Sequence, residues 1–144
     1  MTTYFLDTSA LVKHYRSEPG SERIDALFAE TESTRIISEL TIVEFASAFR
    51  RLTNRGEIDD VAMNHALRRF TADTTDNLVV VEFRSDVIKI ARDTVLQHSL
   101  RALDALQLAA VLSATRRSPV FVSADANLLS AAQVNGLETV NPLD

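Results

Sequence analysis

Four carboxylates stand where the sequence pattern gives them a choice between structural and chemical work: Asp7, Glu44, Asp104 and Asp125. Asp7 closes the apolar run Tyr4-Phe5-Leu6 and precedes Thr8-Ser9-Ala10-Leu11-Val12, while Asp125 lies just past the run at 120–122 and precedes Ala126-Asn127-Leu128-Leu129. An aspartate in such a place either caps a helix N-terminus by accepting from backbone N–H groups or turns its oxygens to a ligand. Asp104 lies in line with Leu108 and Val111 on a strongly apolar segment. An ionised carboxylate there is costly unless something pairs with it. A place in the first helical turn, or Arg101 three residues earlier, offers part of that compensation, and a functional role offers another explanation. Glu44 shares its segment with Ile42, Phe45, Ala46 and Phe49 but points away from the centre of their side. It reads either as a solvated glutamate paired with Arg51, or as a group on a small-residue face, beside Ser47 and Ala48, that another element can approach closely. Carboxylate oxygens bind hard divalent cations, and a chain without cysteine and with three histidines excludes thiolate sites and disfavours a histidine-rich one.

The elements that must position these groups alternate. Short apolar runs rich in β-branched residues predict strands at 4–6, 36–37, 78–81, 120–122 and 139–140. Helical periodicity lies between them: roughly 21–31 after Pro19-Gly20, 41–54 ending before Gly56, and a helix starting near Asp59-Asp60. Ser85 is the expected cap of a helix with Val87, Ile88, Ala91 and Val95 facing inward. The segment 102–114 is apolar nearly all round apart from Asp104, Gln107 and Ser113 and reads as a buried helix, and a last helix runs over 126–136 to Gly136. This alternation predicts an α/β fold with a parallel sheet covered on both faces. Ligand sites in such sheets lie beyond the C-terminal strand ends, the rim on which Asp7 and Asp125 are expected.

A length of 144 residues suits a single domain over 1–144, and no repeat, low-complexity tract or linker divides it. The N-terminus lacks the basic and apolar regions of a secretory signal, and no stretch approaches the ~18 apolar residues of a membrane span, so a cytoplasmic protein without a membrane role is expected. A net charge of −5 argues against a general electrostatic grip on duplex DNA. Thirteen of the fifteen cations are arginine, several paired as Arg50/Arg51, Arg68/Arg69 and Arg116/Arg117, which suits either solvated helix faces or phosphate contacts.

Four segments together resemble one family. Tyr4-Phe5-Leu6-Asp7-Thr8-Ser9-Ala10-Leu11-Val12-Lys13 is similar to the first strand and helix of PIN domains, as is Thr41-Ile42-Val43-Glu44-Phe45 leading to Ser47-Ala48 and Arg50-Arg51. The segments at 100–109 and 121–128, around Asp104 and Asp125, complete the set in the right order, and Gly136-Leu137 through Asn141-Pro142 is similar too. The match resembles VapC toxins of toxin–antitoxin pairs and runs nearly end to end, although 55–77 matches no motif. The resemblance implies a three-layer α/β/α fold around a parallel sheet of about five strands. It places Asp7, Glu44, Asp104 and Asp125 on acidic metal-binding positions, with Ser123 where a hydroxyl often lies near the site. Asp7 and Asp104 are then the expected central ligands of Mg²⁺ or Mn²⁺, Glu44 and Asp125 complete the site partly through water, and Ser9 or Ser123 bonds a ligand or the substrate phosphate. The implied activity is endonucleolytic cleavage of single-stranded or loop RNA to a 5′-phosphate and a 3′-hydroxyl. The implied partners are a VapB-like antitoxin, with an arginine able to occupy the acidic site, and a second copy in a homodimer.

Other small α/β proteins with clustered aspartates fit less well. A phospho-acceptor receiver wants an acceptor aspartate after the third strand, where this chain reads Val81-Glu82-Phe83, and a lysine after the last. A haloacid-dehalogenase-type phosphatase wants two aspartates one residue apart, whereas Asp7 is followed by Thr8-Ser9. A PIN-like housekeeping nuclease and a non-catalytic PIN-like binding module remain the alternatives to a toxin.

Overall fold

The first strand, β1 (Thr2–Leu6), is buried on both faces and sorts its side chains by the two-residue strand period: Tyr4 and Leu6 enter one core, Phe5 the other. The computed structural model describes residues 1–114 and 118–144, so the Arg116/Arg117 pair lies outside the described residues. After β1 come α1 (Thr8–Leu11), a 3₁₀ turn over Val12–His14, α2 (Ser21–Ala29), β2 (Ser33–Ser38), α3 (Glu39–Asn54) and α4 (Asp60–Asp76). The chain continues through β3 (Val79–Val81), α5 (Ser85–His98), α6 (Ala102–Ser113), β4 (Val120–Val122), α7 (Ala126–Val134) and β5 (Glu138–Val140).

The five strands form one parallel sheet in the order β3-β2-β1-β4-β5. Register sets Phe5 beside Ile36 and Phe121, so the second core begins as a row of three large apolar side chains from adjacent strands. Helices α6 and α7 cover that face through Leu108, Val111, Leu128 and Ala132, and α5 packs outside α6 through Val87, Ala91 and Ala109. The opposite face is closed by α1 to α4, whose Leu11, Ile24, Phe45, Phe49 and Phe70 pack on Tyr4, Leu6, Ile37 and Val122. This is the expected three-layer α/β/α arrangement, and every predicted strand is present.

Local departures have simple causes. Helix α5 begins at Ser85 with Arg84 at the capping position and no side-chain cap, so Ser85 is its first helical residue and not the expected cap. Its inward line is Val87, Ala91 and Thr94, while Ile88 is half exposed. In α3 the buried line is Thr41, Phe45 and Phe49; Ile42 and Ala46, expected on that side, face outward because a threonine takes the inner position. The helices predicted at 21–31 and 126–136 stop short, at Ala29 and Val134. No described helix is long and apolar enough to cross a membrane.

Strand β1 lies in the middle of the sheet. The connection leaving β1 leads through α1 and α2 to β2 on one side, whereas the one leaving β4 leads through α7 to β5 on the other. Adjacent strands whose exits diverge leave a crevice at their C-terminal ends, the topological switch point where doubly wound sheets bind ligands. Asp7 directly follows one of these strands and Ser123 the other.

Candidate active site

Asp7 is held at the switch point from both strands. Its N–H donates to the Val122 carbonyl at 2.9 Å, and its own carbonyl accepts from Ala10 and Leu11, both at 3.0 Å. The main chain therefore caps α1, and the carboxylate makes no capping bond. Instead Oδ2 accepts from the hydroxyls of Ser9 at 2.6 Å and Ser123 at 3.0 Å. The serines are themselves fixed: Ala124 N–H donates to Ser9 Oγ at 3.0 Å and Asp125 N–H to Ser123 Oγ at 3.1 Å. Both candidate serines thus act on Asp7 itself.

Asp7 is only 6 % exposed. Burial pushes its carboxyl up to about 6; the Ser9 and Ser123 bonds pull against that rise, and the charges of Glu44 and Asp104 add to it. Asp104, in the first turn of α6, is also raised, first by burial and then by the charge of Asp125, with Arg101 opposing. The Arg101 Nε lies 3.5 Å from Asp104 Oδ2, but its side chain is largely in solvent, so this pair compensates Asp104 weakly. The four carboxylates therefore sense one another's charge in a chain along one rim: Glu44 and Asp104 act on Asp7, and Asp125 acts on Asp104.

Asp125 does have a structural task. Its Oδ1 accepts from Asn127 N–H at 2.9 Å and Leu128 N–H at 3.2 Å, capping α7. Glu44 is half-buried and not paired with Arg51, whose guanidinium donates to Ser47 at 2.9 Å instead. Glu44 Oε1 accepts from Thr8 Oγ1 at 2.8 Å and from Gln107 Nε2 at 2.8 Å. Sequence reasoning missed this group: Thr8, Thr41, Ser38 and Gln107 are all buried and joined by hydrogen bonds beneath Glu44. The available signal was Gln107 itself, a long polar side chain on an apolar helix.

Two open clefts flank Asp104. One, of about 650 Å³, runs from Glu44 past Val43, Arg51 and Leu103 to Asp104. The other, of about 500 Å³, runs from Asp104 to Asp125 past His98, Asn127 and Ser130. Arg101 lines both, so an extended anionic ligand lying across Asp104 would meet a guanidinium in either direction.

The donor set is all oxygen. Among the described residues no three His, Cys, Asp or Glu side chains close into a ready-made cage, so an enclosed protein-only site does not fit. A hydrated Mg²⁺ or Mn²⁺ does fit, because such an ion keeps several waters and needs only one or two direct carboxylates.

Fold and rim together define a PIN-type protein. The PIN domain family model matches residues 4–139, and the chain belongs to that family. Among curated relatives, it is 30% identical over 141 residues to Ribonuclease VapC47 of Mycobacterium tuberculosis (strain CDC 1551 / Oshkosh), covering 96% of each chain. Among solved structures it resembles FitAcB from Neisseria gonorrhoeae, with a TM-score of 0.68 and 20% identity over 96% of this chain and 97% of that one. It also resembles a toxin–antitoxin complex from Klebsiella pneumoniae, with a TM-score of 0.67 and 16% identity over 96% and 97% of the two chains. At these identities the two structures speak for the fold.

Proposed function

We propose that residues 1–144 form one PIN-like endoribonuclease domain that hydrolyses RNA phosphodiester bonds with Mg²⁺ or Mn²⁺ and serves as the toxin of a toxin–antitoxin pair. The observation that carries this reading is the buried Asp7 carboxylate at the switch point, raised in part by Glu44 and Asp104. Membership of the PIN family and 30% identity to a named ribonuclease support the reaction class. Likeness to a toxin–antitoxin complex supports an antitoxin partner, and a homodimer belongs to the same reading.

In this reading Asp7 and Asp104 would hold the ion directly, and Glu44 and Asp125 would complete its shell partly through water. A bound divalent ion supplies an acidified water and neutralises charge on the phosphate. The chain's own contribution is placement. Ser9 and Ser123 bond one oxygen of Asp7 and fix its rotamer. Arg101, exposed at the junction of both clefts, meets the backbone of a bound strand. Asp125 serves both as a helix cap and as an outer member of the site.

The test is cleavage of a generic single-stranded RNA by the purified full chain. We expect cleavage with Mg²⁺ or Mn²⁺, none with EDTA, and loss of most of the rate in Asp7→Asn and Asp104→Asn with the fold intact. Cleavage that persists in EDTA overturns the metal reading. Co-expression with any small protein encoded immediately upstream tests the partner: absence of such a protein, or its failure to co-purify, counts against the toxin assignment and leaves the nuclease in place.

A further inference from the structure

Gln107 is 1 % exposed, on α6, three residues after Asp104. Residues so spaced share a helix face, so a single helix carries Asp104 at the rim and an amide one turn deeper. The Gln107 Nε2 lies 2.8 Å from Glu44 Oε1 and 2.8 Å from Thr41 Oγ1, which occupies both amide hydrogens. Its Oε1 accepts from Ser38 Oγ at 2.9 Å, and Ser38 is itself fully buried at the end of β2. This fixes the sense of the amide, since the flipped form would set a carbonyl oxygen against the Glu44 carboxylate. Glu44 is in turn held at one oxygen: the bonds from Gln107 and Thr8 both fall on Oε1 and leave Oε2 unused by either.

A buried glutamine is costly unless satisfied, and an apolar residue of similar size would pack between the same helices without that cost. Among Gln107's partners the one charged group is Glu44, and hydrogen bonds to charged acceptors are the strong ones. We infer that Gln107 is a positioning residue, which locks the Glu44 carboxylate by Oε1 so that Oε2 faces the divalent-ion site, and which sets the Glu44–Asp104 separation because one helix carries both the lock and Asp104. This rests on the metal-dependent reading above. Groups that orient a ligating carboxylate matter nearly as much as the ligand, and their loss costs roughly 10- to 100-fold in metal affinity or activity.

The experiment is a Mn²⁺ titration of the metal-free full chain, read as the thermal shift, with RNA cleavage measured in parallel. Gln107→Met keeps the length of the side chain and removes the donors. Thr41→Val breaks the same buried network without removing a bond to Glu44. We expect Gln107→Met to weaken the Mn²⁺ response about 10- to 100-fold and Thr41→Val to leave it within about threefold. Should Gln107→Met fail to fold, Gln107→Asn carries the test: it keeps a neutral amide in the buried network, draws the donor back from Glu44 by one methylene and should weaken Mn²⁺ binding about as much. A variant at Gln107 that binds Mn²⁺ like the wild type, or equal losses in Gln107→Met and Thr41→Val, overturns the positioning role. A wild type that responds to Mn²⁺ but leaves RNA intact overturns the nuclease reading alone, and no Mn²⁺ response in the wild type overturns both.

Discussion

Ser123 donates its hydroxyl to Asp7 Oδ2 over 3.0 Å although 116 positions separate the two residues. They directly follow neighbouring strands, β1 and β4, so the most buried carboxylate of the rim is stabilised from the end of a strand made late in the chain. That bond favours the ionised form of Asp7, against the burial that disfavours it.

Ser123→Ala should therefore destabilise the protein most where Asp7 is ionised. A bond to a charged group is worth about 1.5–3 kcal/mol, so the melting temperature at pH 7.5 should fall by several degrees. The difference between variant and wild type should narrow by pH 4.5, where Asp7 is protonated in both. A difference independent of pH would mean that the serine supports the fold and not the charge.

Asp7→Asn should raise the melting temperature in EDTA at pH 7.5 while removing cleavage. The folded carboxyl sits at about 6, above its ordinary 3.8, so the native state takes up a proton between those values. The ionisation penalty is fully present above pH 6, is on the order of 3 kcal/mol at most, and fades as pH falls through the raised value. Melts at pH 7.5 and 4.5 check this: the gain should be largest at the higher pH and shrink to roughly a third of that at the lower, where the unfolded carboxyl still ionises. Added Mn²⁺ should stabilise the wild type more than the variant, because the intact site binds it better.

Asp125 offers a clean separation of cap from chemistry. Asp125→Asn keeps an oxygen for Asn127 and Leu128, and asparagine caps about as well as aspartate, so stability should change by less than about 0.5 kcal/mol while cleavage falls. Asp125→Ala should lose both, with about 1 kcal/mol of stability. Full cleavage by Asp125→Asn would reduce this residue to a cap.

Asp59→Ala supplies the control. Asp59 caps α4 by accepting from Ala62 N–H at 2.8 Å, away from the rim. Its loss should cost about 1 kcal/mol in thermal melts and leave cleavage and the Mn²⁺ response unchanged. A change in either would show that stability alone moves the readouts used above.

What could be read from the sequence follows from how far each signal reaches along the chain. Asp7 and Asp125 announce themselves locally, because each lies at the end of an apolar run and before a helix, and a parallel sheet turns such positions to one rim. Asp104 is visible as a charge on an apolar helix. Glu44 is invisible to periodicity, since what holds it, Thr8 and Gln107, comes from segments 36 and 63 positions away. The same distance hides Ser123's bond to Asp7. Ile42 was misplaced for a related reason: Thr41 takes the inward position because its hydroxyl has a buried partner in Gln107, which no scale of hydrophobicity contains.

The central place of β1 has a consequence in time. The strand made first waits for one of the last, since Tyr4 pairs with Val120 and Leu6 with Val122. Until β4 leaves the ribosome, Asp7 lacks Ser123, the rim lacks Asp125, and one edge of β1 is bare. At about 5–20 residues per second, translation separates Asp7 from Asp125 by several seconds. A chain that lacks β4 is in this way unable to complete the rim, and the carboxylates proposed to act together meet only after β4 has been made.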